Sequence, residues 1–229
     1  ARYNILAIPV VDEENKLVGI ITVDDIIDVI KDEATEDIYK MAGLNIDERA
    51  LDPIFSSIRR RLPWLYINLL TAILAASVVG LFTNTIQTFA ILAAYMPIVA
   101  GMGGNAATQT LTVIIRGMAL GELTFGNTMK ALLKESSAGL INGIATGVAM
   151  GVIAYLWNGN YMLGVVVCLA MIINMFVAGL TGTLIPVILR AFKIDPAVAS
   201  TVVVTTFTDV VGFFSFLGIA TLLIHYIAV

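Results

Sequence analysis

From residue 53 onward, long apolar runs alternate with short polar breaks. That rhythm predicts five membrane-spanning helices, near 62–83, 86–115, 136–156, 161–189 and 197–227. A helix needs about 20 apolar residues to cross a bilayer core, so the longer second, fourth and fifth runs allow tilt or breaks. Just ahead of the first run, Ile54, Phe55, Ile58 and Leu62 fall at helical spacing beside Arg59, Arg60 and Arg61. They predict a short interfacial helix, with Trp64 and Tyr66 at headgroup level. Residues 1–52 follow another pattern. ILAIPVV and KLVGIIT read as two short strands around the turn-like DEEN. Thr22 then caps a helix, with Asp25 at the capping-box distance.

Polar positions inside the apolar runs narrow the reading. The second run holds MPIVAGMGGNAATQTLTVIIRG, residues 96–117. Pro97 removes a backbone donor, and Gly101, Gly103 and Gly104 are expected to loosen the helix beyond it. Asn105, Thr108, Gln109 and Thr112 share one helical face. In lipid such a face needs partners or water, so it is either a wall of a polar pathway or glue to a neighbouring helix. The third run carries Gly139, Gly143, Gly147 and Gly151, a close-packing stripe, and the fourth carries Asn174, read as interhelical glue. In the fifth, Thr201, Thr205, Thr208, Asp209, Gly212 and Ser215 keep to one face. Asp209 is the only acid well inside any span. An aspartate at a helix centre costs about 2.5–3.5 kcal/mol to insert. No Lys or Arg lies deep in a span to offset that cost, which leaves an ion-pathway carboxylate or a protonated one.

Composition places the chain among helical membrane proteins: 59% of its 229 residues are hydrophobic and 13% charged. Charge divides it in two. Residues 1–52 hold 13 of the 17 acids and 5 of the 13 Lys and Arg, and the remainder is net basic. Two strands and a helix of about 30 residues cannot bury a core, so the acidic part is expected to end a larger α/β module. Asp24, Asp25, Asp28, Asp32, Glu33, Glu36 and Asp37 crowd seven carboxylates into 14 residues with few basic neighbours. Such a row is either a solvated face or a site for a hard divalent cation, which would relieve its self-repulsion. Lys and Arg precede the first span and fill the 2–3 and 4–5 connections, but are missing from the 1–2 and 3–4 connections. The positive-inside rule then predicts a cytoplasmic N-terminus and an external C-terminus.

Other functions are poorly supported. The single Cys168 permits no internal disulfide, and His225 is the sole histidine and is expected at the interface. There is no HExxH and no convincing acid/base pair, so the chain does not read as an enzyme. The acidic segment argues against nucleic acid as a partner. One deep carboxylate with amides and hydroxyls, and no cluster of soft ligands, indicates a hard cation. Mg²⁺ dehydrates reluctantly, so recognition through its water shell fits these groups. A symmetric dimer would bring two copies of Asp209 and of the Asn105 face together around a two-fold pore.

The strand LVGIIT with its capped DDIID helix resembles the C-terminal portion of a CBS domain. More broadly, residues 20–229 resemble the MgtE family of magnesium channels. The carrying motifs are TVDDIIDVI with EATEDIYK, the residue 96–117 stretch, KE at 134–135, IDPAVAS and TDVVGF, in family order. The resemblance implies an all-α polytopic membrane protein with five transmembrane helices per subunit, preceded by a fragment of an α/β CBS domain and a connecting helix. Residues 1–31 would be the CBS fragment, 32–61 an acidic connecting (plug) helix with the interfacial helix, and 62–229 the transmembrane domain. It further implies a homodimer in a prokaryotic inner membrane that admits hydrated Mg²⁺ to the cytoplasm. Asp209 would be the pore acid, Thr205 would lend a backbone carbonyl, and Asn105 would be a pore amide. Asp25 and Asp28 match CBS-side acids, Glu33, Glu36 and Asp37 match plug-helix acids, and Asp195 matches the acid facing them. Regulatory Mg²⁺ would bridge these groups and hold the pore closed. Asn4 stands where an acid is expected, and a nucleotide is possible at the missing CBS part. The alternative function is an ion-coupled secondary transporter of divalent cations, which a half-to-half repeat would favour.

Overall fold

A computed structural model describes residues 6–198 and 201–223; the side chains of 33 and 34 are left out. Asn4, His225 and the Glu33 side chain therefore lie outside the described residues. The chain is a helical membrane protein headed by a small strand pair. Strands β1 (Ala7–Val11) and β2 (Leu17–Thr22) form an antiparallel hairpin, with Ala7 opposite Thr22 and an irregularity at Val10/Val11. Helix α1 (Val23–Met41) follows directly. Its start is fixed as the sequence predicts: the Asp25 carboxylate accepts hydrogen bonds from the Thr22 backbone N–H and hydroxyl, both 2.7 Å.

Among the described residues, five helices are long and apolar enough to cross a membrane: α2 (Ile54–Gly80), α4 (Leu92–Ala119), α5 (Thr128–Asn158), α6 (Tyr161–Ala191) and α7 (Thr201–Leu222). The short α3 (Thr83–Thr88) links α2 to α4. The separate interfacial helix expected before the first span is absent, because α2 runs unbroken from Ile54 through Pro63. Its basic start is anchored instead by ion pairs. Arg60 meets Asp52 at 2.8 Å, and Arg61 meets the buried Glu48 at 2.5 Å. Two of the three arginines that predict orientation thus also tether the connector to the span.

The core sits among α4, α6 and α7, with Leu92, Val99, Leu163, Val167, Phe216 and Leu217 fully buried. Asn174 of α6 lies at its centre, fully buried, and donates to the Val99 carbonyl at 2.8 Å. It is interhelical glue, as expected. The α4 glycines do not loosen their helix, which is continuous through Pro97, Gly101, Gly103 and Gly104. They act through the missing Cβ: at Gly103 it would strike the Asn174 amide, and at Gly104 it would press on Thr205 of α7.

The α5 glycine stripe packs against α6 backbone to backbone. A Cβ at Gly139, Gly143, Gly147 or Gly151 would come inside 3.0 Å of the α6 main chain. The two helices reverse at Gly159 (φ +67°), and the Asn160 side chain caps α6 by accepting from the backbone N–H groups of Met162 and Leu163. At the other end of α6, Arg190 donates to the Leu123 carbonyl at 2.8 Å and lies over the Phe125 ring, closing the α4–α5 loop.

Candidate functional site

Two polar regions lie along α7 and the turn before it. The deeper one surrounds Asp209. This residue is about 12 Å along α7, at 1.5 Å per residue, and is half-buried. Among the described residues, the Asp209 carboxylate has no hydrogen bond and no ion pair. One turn earlier, the Thr205 hydroxyl donates to Val202 O at 3.2 Å, and the Thr205 carbonyl accepts the Thr208 hydroxyl at 2.9 Å. The Thr205 methyl abuts Gly104 of α4. Asn105, the next residue, is exposed near the midpoint of α4. On the same helix the Thr108 and Thr112 hydroxyls turn back to the carbonyls four residues earlier, at 2.9 and 2.8 Å. Their protons are committed to the helix, so their lone pairs remain as acceptors. Of the pore residues expected from sequence, Thr205 and Asp209 lie on α7 with Thr205 against Gly104 of α4, while Asn105 lies on another face of α4.

The second region joins α1 to the start of α7. The Lys40 ammonium bonds to Glu36 one turn earlier on α1 and to Asp195, just ahead of a 3₁₀ turn at Pro196–Val198, at 2.5 Å. Asp195 also accepts the Ala197 backbone N–H at 2.9 Å, and the Thr201 hydroxyl donates to the Met41 carbonyl at 3.3 Å. Partial burial works against the Asp195 charge, but the Lys40 hydrogen bond, the Ala197 N–H and the Lys40 charge together hold its carboxyl below the usual range. Asp195 and then Glu36 hold Lys40 protonated well above its ordinary range. Sequence reasoning picked out Glu36 and Asp195 but missed Lys40, whose (i, i+4) spacing from Glu36 was the available signal.

Asp25 and Asp28 do not gather there. Asp25 is engaged in capping α1, and the Thr22 N–H and hydroxyl hold its carboxyl below the usual value. Asp28 and Asp25 lie about two and three helical turns from Glu36, roughly 12 and 16 Å along the axis. Asp37 makes a polar contact of its own. Among the described residues, no three His, Cys, Asp or Glu side chains converge on a point that could hold a metal ion.

Comparison with known proteins agrees with this division. A family model described as a divalent cation transporter, MgtE, matches residues 96–219, and a CBS domain model matches residues 1–32. The chain is 38% identical over 224 residues to the magnesium transporter MgtE of Bacillus subtilis, covering 98% of the chain and 50% of that protein. It is 36% identical over 228 residues to the magnesium transporter MgtE of Thermus thermophilus, again covering 98% of the chain and 50% of the relative. The chain therefore spans about half the length of the curated relatives it matches.

Proposed function

The chain belongs to the MgtE family of divalent cation transporters, and on that premise we propose that it is the membrane half of a Mg²⁺-selective channel. In this reading two copies pair in a prokaryotic inner membrane, N-termini cytoplasmic, and hydrated Mg²⁺ enters the cytoplasm between them. Asp209 attracts the hydrated ion, Thr205 accepts hydrogen bonds from its water shell, and Asn105 is a further amide of the pathway on α4. Cytosolic Mg²⁺ at the acids of α1 and Asp195 closes the pathway.

One observation carries the reading: Asp209 is an acid deep in a span with no partner among the described residues. A buried charge needs a counter-charge, and where the fold does not supply one, a passing cation does. Mg²⁺ uptake into liposomes holding the full protein, measured with an internal Mg²⁺ dye, tests it. Asp209→Ala should cut uptake by about tenfold or more. Tenfold corresponds to only 1.4 kcal/mol, and carboxylate–dication attraction across one water layer exceeds that at an effective dielectric of about 20. Selective uptake by a correctly assembled Asp209→Ala protein would overturn the assignment.

A further inference from the structure

Helix α5 contributes more than its glycine stripe. On the side of α4 away from α7, a cavity of about 310 Å³ opens between α4 and α5. Asn105 and Gln109 line it from α4, Asn142 and Thr146 line it from α5, and Met102 and Met175 form apolar parts of its wall. Asn105 and Asn142 both sit near the midpoints of their helices. Asn105, Gln109 and Asn142 are exposed and Thr146 is partly so. Lipid offers these side chains no hydrogen-bond partner, so three amides and a hydroxyl at this depth require water or its equivalent.

We propose that this cavity is a neutral side chamber of the cation pathway, in which Asn105, Gln109, Asn142 and Thr146 hold the water shell of a hydrated divalent cation. The inference rests on the function proposed above and adds a second station to it. Waters bound to a dication donate outward, so their partners must accept. Amide oxygens accept, and the Thr146 hydroxyl has given its own proton to the Asn142 carbonyl at 2.7 Å, which leaves its lone pairs for the cavity. Six waters take up roughly 180 Å³ in the liquid, and a cavity of about 310 Å³ admits such a shell without stripping it. This suits an ion that dehydrates reluctantly. Helix α4 also borders the acid's side. Gly104 faces Thr205 of α7, while its neighbour Asn105 lines the chamber. The acid and the chamber thus lie against different faces of α4, and the absence of charge keeps the chamber from trapping an ion.

Cysteine accessibility in the full protein in liposomes tests the chamber. The background carries Cys168→Ala and lacks any other cysteine, with Asp209 intact. Asn142→Cys and Thr146→Cys are exposed to a charged, membrane-impermeant methanethiosulfonate, with and without saturating Mg²⁺. Ile141→Cys, exposed on the apolar side of the same helix, is the lipid-facing control. The two chamber cysteines should label about tenfold faster than the control, as water-lined positions do in a bilayer, and Mg²⁺ should slow them. No labelling would mean that the face is packed against lipid or a second copy, and labelling indifferent to Mg²⁺ would mean water without an ion site. Either result overturns the chamber. Mg²⁺ uptake in the same liposomes separates the two readings: uptake with an unlabelled chamber defeats this inference alone, whereas no uptake by the wild-type protein defeats the proposed function.

Discussion

Asp195 and Asp209 stand fourteen residues apart on one stretch of chain, yet the fold treats their charges in opposite ways. Asp195 is met by Lys40 from α1 and by the backbone N–H of Ala197. Asp209, further along, has no partner among the described residues. A tethered counter-charge turns an acid into a fastening, here between α1 and the entry to α7. An acid left without one keeps its attraction available for something mobile. The same side chain thus serves assembly in one place and traffic in the other, and the location of the nearest ammonium separates the two.

That contrast breaks most severely if Asp209 is given a fixed cation. Thr205→Lys sets an ammonium one turn ahead of it, at a spacing where such pairs form, at a position that packs on Gly104 of α4. Mg²⁺ uptake should fall by about tenfold or more, as for Asp209→Ala, since both changes remove an attraction worth more than 1.4 kcal/mol. The thermal unfolding midpoint in detergent would distinguish this from misfolding, because a folded, inactive Thr205→Lys protein is the expected outcome.

The converse change, Lys40→Gln, releases Asp195 and Glu36. The pair is over a third exposed on the Asp195 side, so its contribution is about 1 kcal/mol or less after screening. The Mg²⁺ concentration that half-closes the full protein should shift by up to about fivefold, read from uptake against internal Mg²⁺. No shift would mean that the joint plays no part in closure.

The smallest effect concerns pH. The Asp195 carboxyl is held below its ordinary value of 3.8, so its contribution is complete above 3.8 and fades only as pH falls through the lowered value. Lys40 is held above its ordinary 10.5, so its contribution is complete below 10.5 and is lost only as pH rises through the raised value. The joint should therefore hold unchanged between about pH 5 and 9. A disulfide-trapping assay across Glu36→Cys and Asp195→Cys would lose the acids themselves, so the check is hydrogen exchange at the end of α1, which should be flat in pH after correction for intrinsic rates.

Much of this was legible beforehand. The five spans announce themselves by apolar length, Asp209 by being an acid inside such a run, and the start of α1 by Thr22 with Asp25. The misreadings have separate physical causes. Glycine acts in two ways, by freeing the backbone and by lacking a Cβ, and a sequence writes both with one letter. In α4 the second use prevails, since Gly103 makes room for Asn174 and Gly104 for Thr205. The local pattern offers Lys40 only its neighbour Glu36, because its other partner Asp195 is 155 residues away. Asn142 was hidden for a third reason. The α5 stripe on one face drew attention from the flanking face, about 100° round the helix, where the amide lies.

That stripe also sets what variation the protein can absorb. Replacing glycine by alanine is the smallest enlargement available, a single methyl, yet at Gly139, Gly143, Gly147 and Gly151 it would already drive an atom into the main chain of α6. Main chain cannot be trimmed by a compensating substitution as a side chain can. A second change elsewhere therefore cannot rescue the first, short of prying the hairpin apart. A saturation scan of α5 would show tolerance collapsing at every fourth residue, with permissive positions such as Ile141 and Val148 between the troughs. The lineage can revise the lipid-facing surface of this helix freely while its inner edge stays fixed.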